Sequence, residues 1–460
     1  MVRKLRKVTA LAVVTVMAVA TTALAVANYT FARPKVVGST SQTTWTNGVP
    51  QLGVTVDKKA DPRKTWMHAL YISDANLAGA FSSDNNCSNK GNCLANWYTR
   101  SSNAGKAWRD PVKVPGPGGH VERGTLAVTG ATVVVAMMSQ EGYWGGCCST
   151  FDTSDPRRVY VSRSTNHGAS WSNAVVLPGQ TNSSRGDYIY IAASGANVHV
   201  VTTNTQNGQV WYWRSTNRGK SFTGPVTLGT TTNEDNASGY VGGFSALPSI
   251  AAAGGDVVAA WTNTAAGQVV ARASTDGGAT WGAQTQLAAS GGNANNGYTQ
   301  AAGRDTRIAV TWTTANGAFL RIYNATTNAW GVMRTITTFP NSVGGTSYVG
   351  GEGATVTLGP GGVVGVALSQ CISAGGSICN DASLGLQSTR ESLIWRASSD
   401  GGASWSSPTA LAAYSDSVKN RFINNYATAT FFKRRPWVMW NGHDSNYTDY
   451  VVRYRLGSPA

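Results

Sequence analysis

The chain has 460 residues and a formal net charge of +15 at pH 7, yet only 13% of its residues are charged, against 53 glycines, 16 tryptophans and 17 tyrosines. That balance excludes a disordered chain and points to a turn-rich all-β protein. The lysines and arginines are scattered rather than run together, so the charge describes a surface attractive to polyanions at large.

The chain opens on Arg3, Lys4, Arg6 and Lys7, followed by an apolar run from Val8 towards Ala25 and Ala-x-Ala at 23–25 and 25–27. This is the pattern of a secretory signal peptide over residues 1–27, and it predicts a secreted, extracellular protein. No cysteine follows the run, which argues against a lipoprotein anchor, and no later stretch is apolar for long enough to span a bilayer. Residues 28–38 read as a short N-terminal linker and 39–460 as one domain. Within it, residues 39–52 run from Ser-Thr through Trp45 to Gln-Leu with the spacing of residues 274–287. They read as a lone fourth strand, able to pair with the C-terminal end.

A first repeat follows, with strands at 53–56, 65–72 and 94–100, interrupted by a loop that holds Cys87 and Cys93. It ends in Ser101-Ser102-Asn103-Ala104-Gly105-Lys106-Ala107-Trp108, and that string recurs. Residues 164–171 and 215–222 are looser copies, while Ser274-Thr275-Asp276-Gly277-Gly278-Ala279-Thr280-Trp281 and Ser398-Ser399-Asp400-Gly401-Gly402-Ala403-Ser404-Trp405 are nearly identical. Residues 323–330 are a worn copy that keeps Trp330. A motif returning every 50 to 60 residues or so marks a repeat architecture.

The string has the chemistry of a hairpin tip. Asp or Asn folds back onto amides two residues on, Gly supplies a positive φ, and the Trp opens the next strand and packs back under the turn. Ahead of each copy lies a first short strand (124–129, 188–193, 248–253, 298–302, 354–358, 426–431) and a second (132–138, 198–203, 257–262, 307–313, 363–368, 436–440). A third strand leads into the box. The inner strands are small and apolar, as strands covered on both faces should be. The chain ends after a third strand, 449–456, with no box behind it. The box aromatics are Trp45, Trp108, Trp171, Phe222, Trp281, Trp330 and Trp405, which predicts an all-β, seven-bladed β-propeller, six blades being the alternative, closed by the N-terminal strand.

Six cysteines in an exported chain permit disulfides. Cys87 with Cys93 and Cys371 with Cys379 read as loop staples. Adjacent Cys147 and Cys148 hold their Cα atoms about 3.8 Å apart, below the usual disulfide range of roughly 4.4–6.8 Å, so cross-links from them to Cys87 and Cys93 are an alternative. No His/Cys group has zinc-site spacing. No cofactor is expected; a structural Ca²⁺ in the loop 233–236 would lack EF-hand spacing.

The recurring string resembles the Asp-box, or BNR, repeat of the sialidase-like β-propellers, where it links the third and fourth strands of each blade. The resemblance implies that Asp276 and Asp400 are peripheral turn residues. Arg100, Arg163 and Arg214 directly precede the box serine, whereas Arg272 and Arg396 lie one residue earlier, so the two sets point to opposite faces of their strands and share no ligand.

In a propeller the residues that precede the innermost strands converge at the channel mouth. Here those positions hold His120, Glu122, Arg123, Arg185, Asp187, Tyr188, Tyr240, Phe244, Tyr298, Tyr348, Glu352, Arg421, Asn424 and Tyr426, rich in Arg, acid and Tyr for so uncharged a chain. The resemblance implies a grip on a sugar carboxylate by Arg123, Arg185 and Arg421. It further implies Tyr348 or Tyr426 as nucleophile, Glu352 or Glu122 as its partner and Asp187 as acid, with Tyr240 and Tyr298 lining the pocket. The family's Arg-Ile-Pro string is absent; Phe31-Ala32-Arg33-Pro34 is a poor echo of it.

The function so implied is an exo-glycoside hydrolase of the sialidase-like kind, with a polysaccharide lyase as a variant. A non-catalytic glycan-binding or cell-surface propeller is the alternative, in which loop aromatics such as Tyr143 and Trp144 stack on sugar, and a purely structural scaffold is the third reading. The expected partner is a carbohydrate, acidic glycans included, bound by a monomer, with neither nucleic acid nor membrane insertion.

Overall fold

The computed structural model describes residues 28–37, 51–56, 65–73, 95–117, 120–140, 157–184, 186–204, 206–231, 248–263, 267–289, 299–314, 317–338, 354–371, 391–412, 427–443 and 450–460. Their strands form seven antiparallel sheets, six built from consecutive strands and the seventh joining N-terminal strands to the last three. Blade 1 is Gln51–Val56, Thr65–Ser73, Ala95–Ser101 and Val112–Lys113; blade 2 is His120–Thr129, Thr132–Gln140, Arg157–Ser164 and Val175–Val176. Blade 3 is Gly186–Ser194, Asn197–Asn204, Gln209–Ser215 and Thr223–Thr230; blade 4 is Ser249–Ala253, Asp256–Asn263, Gln268–Ser274 and Thr285–Ala289. Blade 5 is Thr299–Arg304, Arg307–Thr314 and Gly317–Asn324, whose outer edge takes both Ala329–Trp330 and Arg334–Thr338. Blade 6 is Thr355–Leu358, Val364–Cys371, Glu391–Ser398 and Thr409–Ala412; blade 7 holds Ala427–Phe432, Arg435–His443 and Tyr450–Pro459. The first strand of each blade contacts the first strand of the next, and that of blade 7 contacts that of blade 1. The result is a seven-bladed β-propeller.

The core is divided among the gaps between blades. Seven apolar clusters are present, and each joins two neighbouring blades. First strands crowd the axis and are small, as in Ser249-Ile250-Ala251-Ala252-Ala253. Further out the gaps widen, and Trp213, Trp261, Trp312, Trp395 and Trp440 fill them, each under 2% exposed. A wedge-shaped gap demands this gradation of side-chain volume.

The ring closes through the N-terminal segment, but not the one whose spacing suggested it. Tyr29–Phe31 pairs with the last strand in the register Tyr29↔Pro459 to Phe31↔Gly457, and Lys35–Val36 continues along the same edge opposite Tyr454 and Arg453. Within the segment expected as a linker, Tyr29–Phe31 and Lys35–Val36 are thus closing strands. Gln51 and Leu52, expected in that strand, instead open the first strand of blade 1, and Trp45 lies outside the described residues. The anchoring is apolar: the Tyr29 ring stands edge-on to Trp395 and Phe431, at 6.2 and 5.9 Å.

The boxes do lie between third and fourth strands, with a longer reach than a simple turn. Asp276 Oδ1 accepts from the amides of Ala279 and Thr280, three and four residues on, each at 2.9 Å. It is the serine that reaches two residues on: Ser274 Oγ accepts from the Asp276 amide, and also from that of Gly278 at 2.8 Å. The same pattern holds Asn103, Asn166, Asn217 and Asp400. The Thr280 hydroxyl and amide, then the Ser274 hydroxyl, hold the Asp276 carboxyl well below the usual carboxylate range. Two successive residues take positive φ, and only the second is always glycine: Ala104, His167 and Arg218 occupy the first position at φ 57°.

The second position needs glycine because the turn lies flush on the preceding blade. A β-carbon on Gly278 would sit 1.8 Å from Tyr212 Oη, one on Gly168 2.1 Å from the Tyr98 ring, and one on Gly105 2.5 Å from Trp437. The box aromatics follow the same direction. Trp171 meets Tyr98 at 4.9 Å and Trp281 meets Tyr212 at 4.8 Å, so they pack on the neighbouring blade and not under their own turn.

Third strands tie the blades together from the other side. Arg100 Nη1 donates to the His167 carbonyl, Arg163 Nε to that of Arg218 and Arg214 Nη2 to that of Asp276, each in the next blade's box. Arg321, Arg396 and Arg455, one position earlier in register, donate backwards to the carbonyls of Leu287, Ile336 and Leu411. Tyr454 Oη completes the circuit on the Gly105 carbonyl at 2.7 Å. The opposite orientation expected of the two arginine sets is therefore observed for Arg396 against Arg100, Arg163 and Arg214.

Two buried histidines back these contacts. Tyr98 Oη donates to the His167 carbonyl at 2.9 Å, so the 2.6 Å contact between His68 Nδ1 and Tyr98 Oη places the hydrogen on Nδ1. Burial, then the nearby His167 and Arg100, lowers the His68 pKa to about 3. Burial, then Arg214, lowers that of His199, which lies 2.8 Å from Tyr212 Oη, to about 4.

Two predictions follow from this packing. Gly278→Ala combines a positive φ with a clash and is expected to cost about 2–4 kcal/mol in chemical denaturation. Gly130→Ala, with nothing within 4 Å of its β-carbon, is expected to cost only about 1 kcal/mol; equal losses would refute the flush contact. Because His68 and His199 take up protons more readily when unfolded, stability should be full above pH 6.5 and fall as the pH drops towards 4 and then 3. His199→Gln should make that acid slope shallower, and an unchanged slope would remove His199 from the account.

Candidate functional site

Because every blade runs outward in chain order, all seven first strands begin at one end of the channel, and so do the third strands. Hydroxyls lock that end. Ser249 Oγ donates to Thr299 Oγ1 at 3.0 Å, Thr311 Oγ1 to the Ala354 carbonyl and Thr355 Oγ1 to the Ala427 carbonyl, both at 2.5 Å. Each bond crosses from one blade to the next, so blades 4 to 7 present a fixed rim.

Blades 2 and 3 differ. Their first strands carry irregularities just inside the mouth, between Glu122 and Gly124 in blade 2 and between Asp187 and Tyr190 in blade 3. A bulge redirects side chains and is found at barrel rims and beside active sites. The bulge of blade 2 is seated on blade 1, since a β-carbon on Gly124 would lie 1.8 Å from Asn96 Oδ1. Asn96 is 1% exposed, and neither Oδ1 nor Nδ2 has a hydrogen-bond partner, an uncommon condition for a buried amide.

At the same end of blade 2, on its third strand, sits a residue that the sequence reasoning missed. Arg157 opens the third strand of blade 2 and is only 6% exposed, rare for an arginine. It shares a strand face with Val159 and Val161, which pack against Ile189 and Ile191 of blade 3. The Arg157 side chain therefore faces the start of blade 3's first strand. Its amide donates to the Ser184 carbonyl at 2.9 Å, and Ser184 immediately precedes Arg185. The signal was available: third strands also begin at the mouth, so their opening residues belonged in the inventory.

Of the residues predicted from sequence, the fold places the backbones of Glu122 and Arg123 in the first strand of blade 2 and that of Asp187 in the adjoining first strand of blade 3. Their side chains are outside what is described. Arg185, Tyr240, Tyr298, Tyr348, Glu352, Arg421 and Tyr426 lie outside the described residues, as do Tyr143, Trp144, the loop 233–236, and every cysteine except the backbone of Cys371. Among the described residues no group of His, Cys, Asp and Glu is arranged to hold a metal ion, and no helix is long and apolar enough to cross a membrane.

What the described geometry offers is a mouth with a rigid rim on one side. On the other side are two bulged first strands and, on the third strand of blade 2, a buried arginine. Such a place suits an anionic or hydroxylated ligand held by bidentate and directional bonds. Arg157→Met is expected to weaken any such ligand by about tenfold or more, while Arg163→Met at the periphery leaves binding unchanged; equal effects in a calorimetric titration would dissociate Arg157 from the site.

No protein-family model matches the chain, and no curated protein matches it. Among solved structures it is similar to the Trypanosoma rangeli sialidase, at 12% identity and a TM-score of 0.39 over 77% of this chain and 56% of that one. A Hadza microbial sialidase, Hz136, is similar at 12% identity and a TM-score of 0.42, with 79% and 73% covered. The K499G mutant of NanB sialidase from Streptococcus pneumoniae is similar at 12% identity and a TM-score of 0.44, with 92% and 70% covered. The chain spans little more than half the length of the Trypanosoma enzyme. The seven-bladed ring is read from the strand pairing above and does not rest on these likenesses.

Proposed function

We propose that this protein is a secreted glycan-acting protein, an exo-glycoside hydrolase of the sialidase-like kind, whose site is the channel mouth at blades 2 and 3. The observation that carries the reading is the pair of bulges at Glu122–Gly124 and Asp187–Tyr190, with the buried Arg157 at the mouth-end start of blade 2's third strand, beside the segment that leads into blade 3. Mouth-end acids and arginines brought to neighbouring strands are what cleavage of a carboxylated sugar requires: guanidinium to orient the carboxylate and an acid to protonate the leaving oxygen. In this reading Arg123, Arg185, Arg421 and Arg157 bind substrate and Asp187 is the acid. Tyr348 or Tyr426, partnered by Glu352 or Glu122, is the nucleophile, a neutral phenol being less repelled by an anionic sugar than a carboxylate would be. The basic, apolar leader supports export, and the net positive charge supports an acidic glycan as the target.

The test is a panel of fluorogenic glycosides that includes sialosides. Turnover of a carboxylated glycoside, lost in Arg185→Ala and in Glu352→Gln with the fold intact, is the expected result. Binding without turnover of any substrate would transfer the mouth to a non-catalytic glycan-binding propeller, and neither binding nor turnover would end the glycan reading.

A further inference from the structure

Among the described residues, one hydrogen bond skips a blade. Gln300 Nε2 donates to Tyr190 Oη at 2.9 Å. Tyr190 belongs to the first strand of blade 3 and Gln300 to that of blade 5. The first strand of blade 4 contacts both of these strands and stands between them. A side-chain bond that passes over it must run through the channel. The sequence of blade 4 makes the room: its first strand carries Ala251, Ala252 and Ala253, and Ala252 packs on the same apolar cluster as the Tyr190 ring. The tyrosine thus lays its apolar body on the gap between blades 3 and 4 and sends its hydroxyl across the lumen.

The height of this strut is fixed by its neighbours. Gln300 follows Thr299, the residue that bonds Ser249 in the locked rim, so the strut lies about one residue, roughly 3.4 Å, inside the mouth. Tyr190 is the first residue back in register after the bulge at Asp187. The irregularity that marks blade 3 as part of the site is therefore also what sets the position of Tyr190. Both side chains are only partly buried.

We propose that Tyr190 and Gln300 form the floor of the mouth pocket and determine which ligand it takes, an inference that rests on the mouth being the glycan site. The floor is uncharged and carries a phenol and a carboxamide, groups that match the hydroxyl or N-acyl substituents of a sugar ring. Recognition of a carboxylate falls to the rim. A strut across the lumen also limits depth, so the ligand enters by its terminal residue and a polymer does not thread the channel. The substrate class is the terminal, polar-substituted sugar of a glycan.

The test uses the full-length protein and the 4-methylumbelliferyl glycoside it turns over fastest, or a calorimetric Kd where a glycan is bound without turnover. Tyr190→Phe removes the hydroxyl and keeps the ring; Gln300→Met removes the amide at similar size. Each is expected to raise KM or Kd about tenfold, with kcat within about twofold and an unchanged melting temperature. The wild type is expected to release terminal sugars without lowering the viscosity of the corresponding polysaccharide. Unchanged KM in both variants overturns the floor while leaving the mouth reading standing, and so does a fall in melting temperature alone, which would make the pair a brace. Internal cleavage of the polysaccharide overturns the depth argument. A wild type that neither binds nor cleaves any glycan removes the mouth reading, and the floor with it.

Discussion

Each blade leans on the one before it through a turn that leaves no space for a β-carbon. The positions of Gly105, Gly168, Gly219, Gly278 and Gly402 would all place one within 3 Å of a side chain in the preceding blade. Serine and Asp or Asn wind the turn so that its glycine faces the neighbour, and the box aromatic packs on the same surface. A propeller has no common core; its stability lies in its gaps. A contact this close, made at five of the seven gaps among the described residues, sets the angle between successive sheets and so determines how many fit around the axis.

The arginines of the third strands satisfy the same gaps in two ways. Between blades 1 and 4 they donate forward to the next box; from blade 5 to blade 7 they donate backward to the previous outer strand. The two solutions differ by one position in a strand of period two, and Tyr454 beside Arg455 shows both faces in use at once. Six partly buried guanidinium groups are absorbed in this way by backbone carbonyls among the described residues. Against that background, Arg157 stands out by its place: it opens a third strand at the mouth end and is only 6% exposed.

The fold was legible in the sequence because its signal is repeated. Five boxes, a worn sixth and the N-terminal string at Trp45 led to seven blades, and the one-residue offset between Arg214 and Arg396 gave the split of the arginine sets. What failed was any feature stated once. The closing strand is Tyr29–Phe31, too short to carry a period, and the better-patterned string around Trp45 drew the assignment away from it. The reach of the box aspartate was underestimated because a two-residue fold-back is the commoner local solution, whereas here the serine takes that role. Arg157 was signalled only by its place at the start of a third strand; the buried His68 and His199, each meeting a tyrosine on the adjacent strand of its own blade, and the Tyr190–Gln300 strut, which joins two different blades, had no local signal. The candidate site was legible as a place, the starts of the first strands, but not as a set of contacts.

The difference between the two sides of the mouth follows from how the ring is held. A bulge forfeits ladder bonds and bends its strand, and would be poorly tolerated where first strands alone kept the blades in place. Here the blades are fixed at their peripheries by boxes and third-strand donors, so the first strands are free to depart from regularity. Blades 4 to 7 use that end for hydroxyl bonds that lock the rim, while blades 2 and 3 carry their bulges there. Gly124 resting on Asn96 shows that the departure is supported from the adjoining blade, and Tyr190 reaching Gln300 shows that it extends across the channel. The periphery supplies the rigidity, which lets the chain keep its irregular backbone at the mouth.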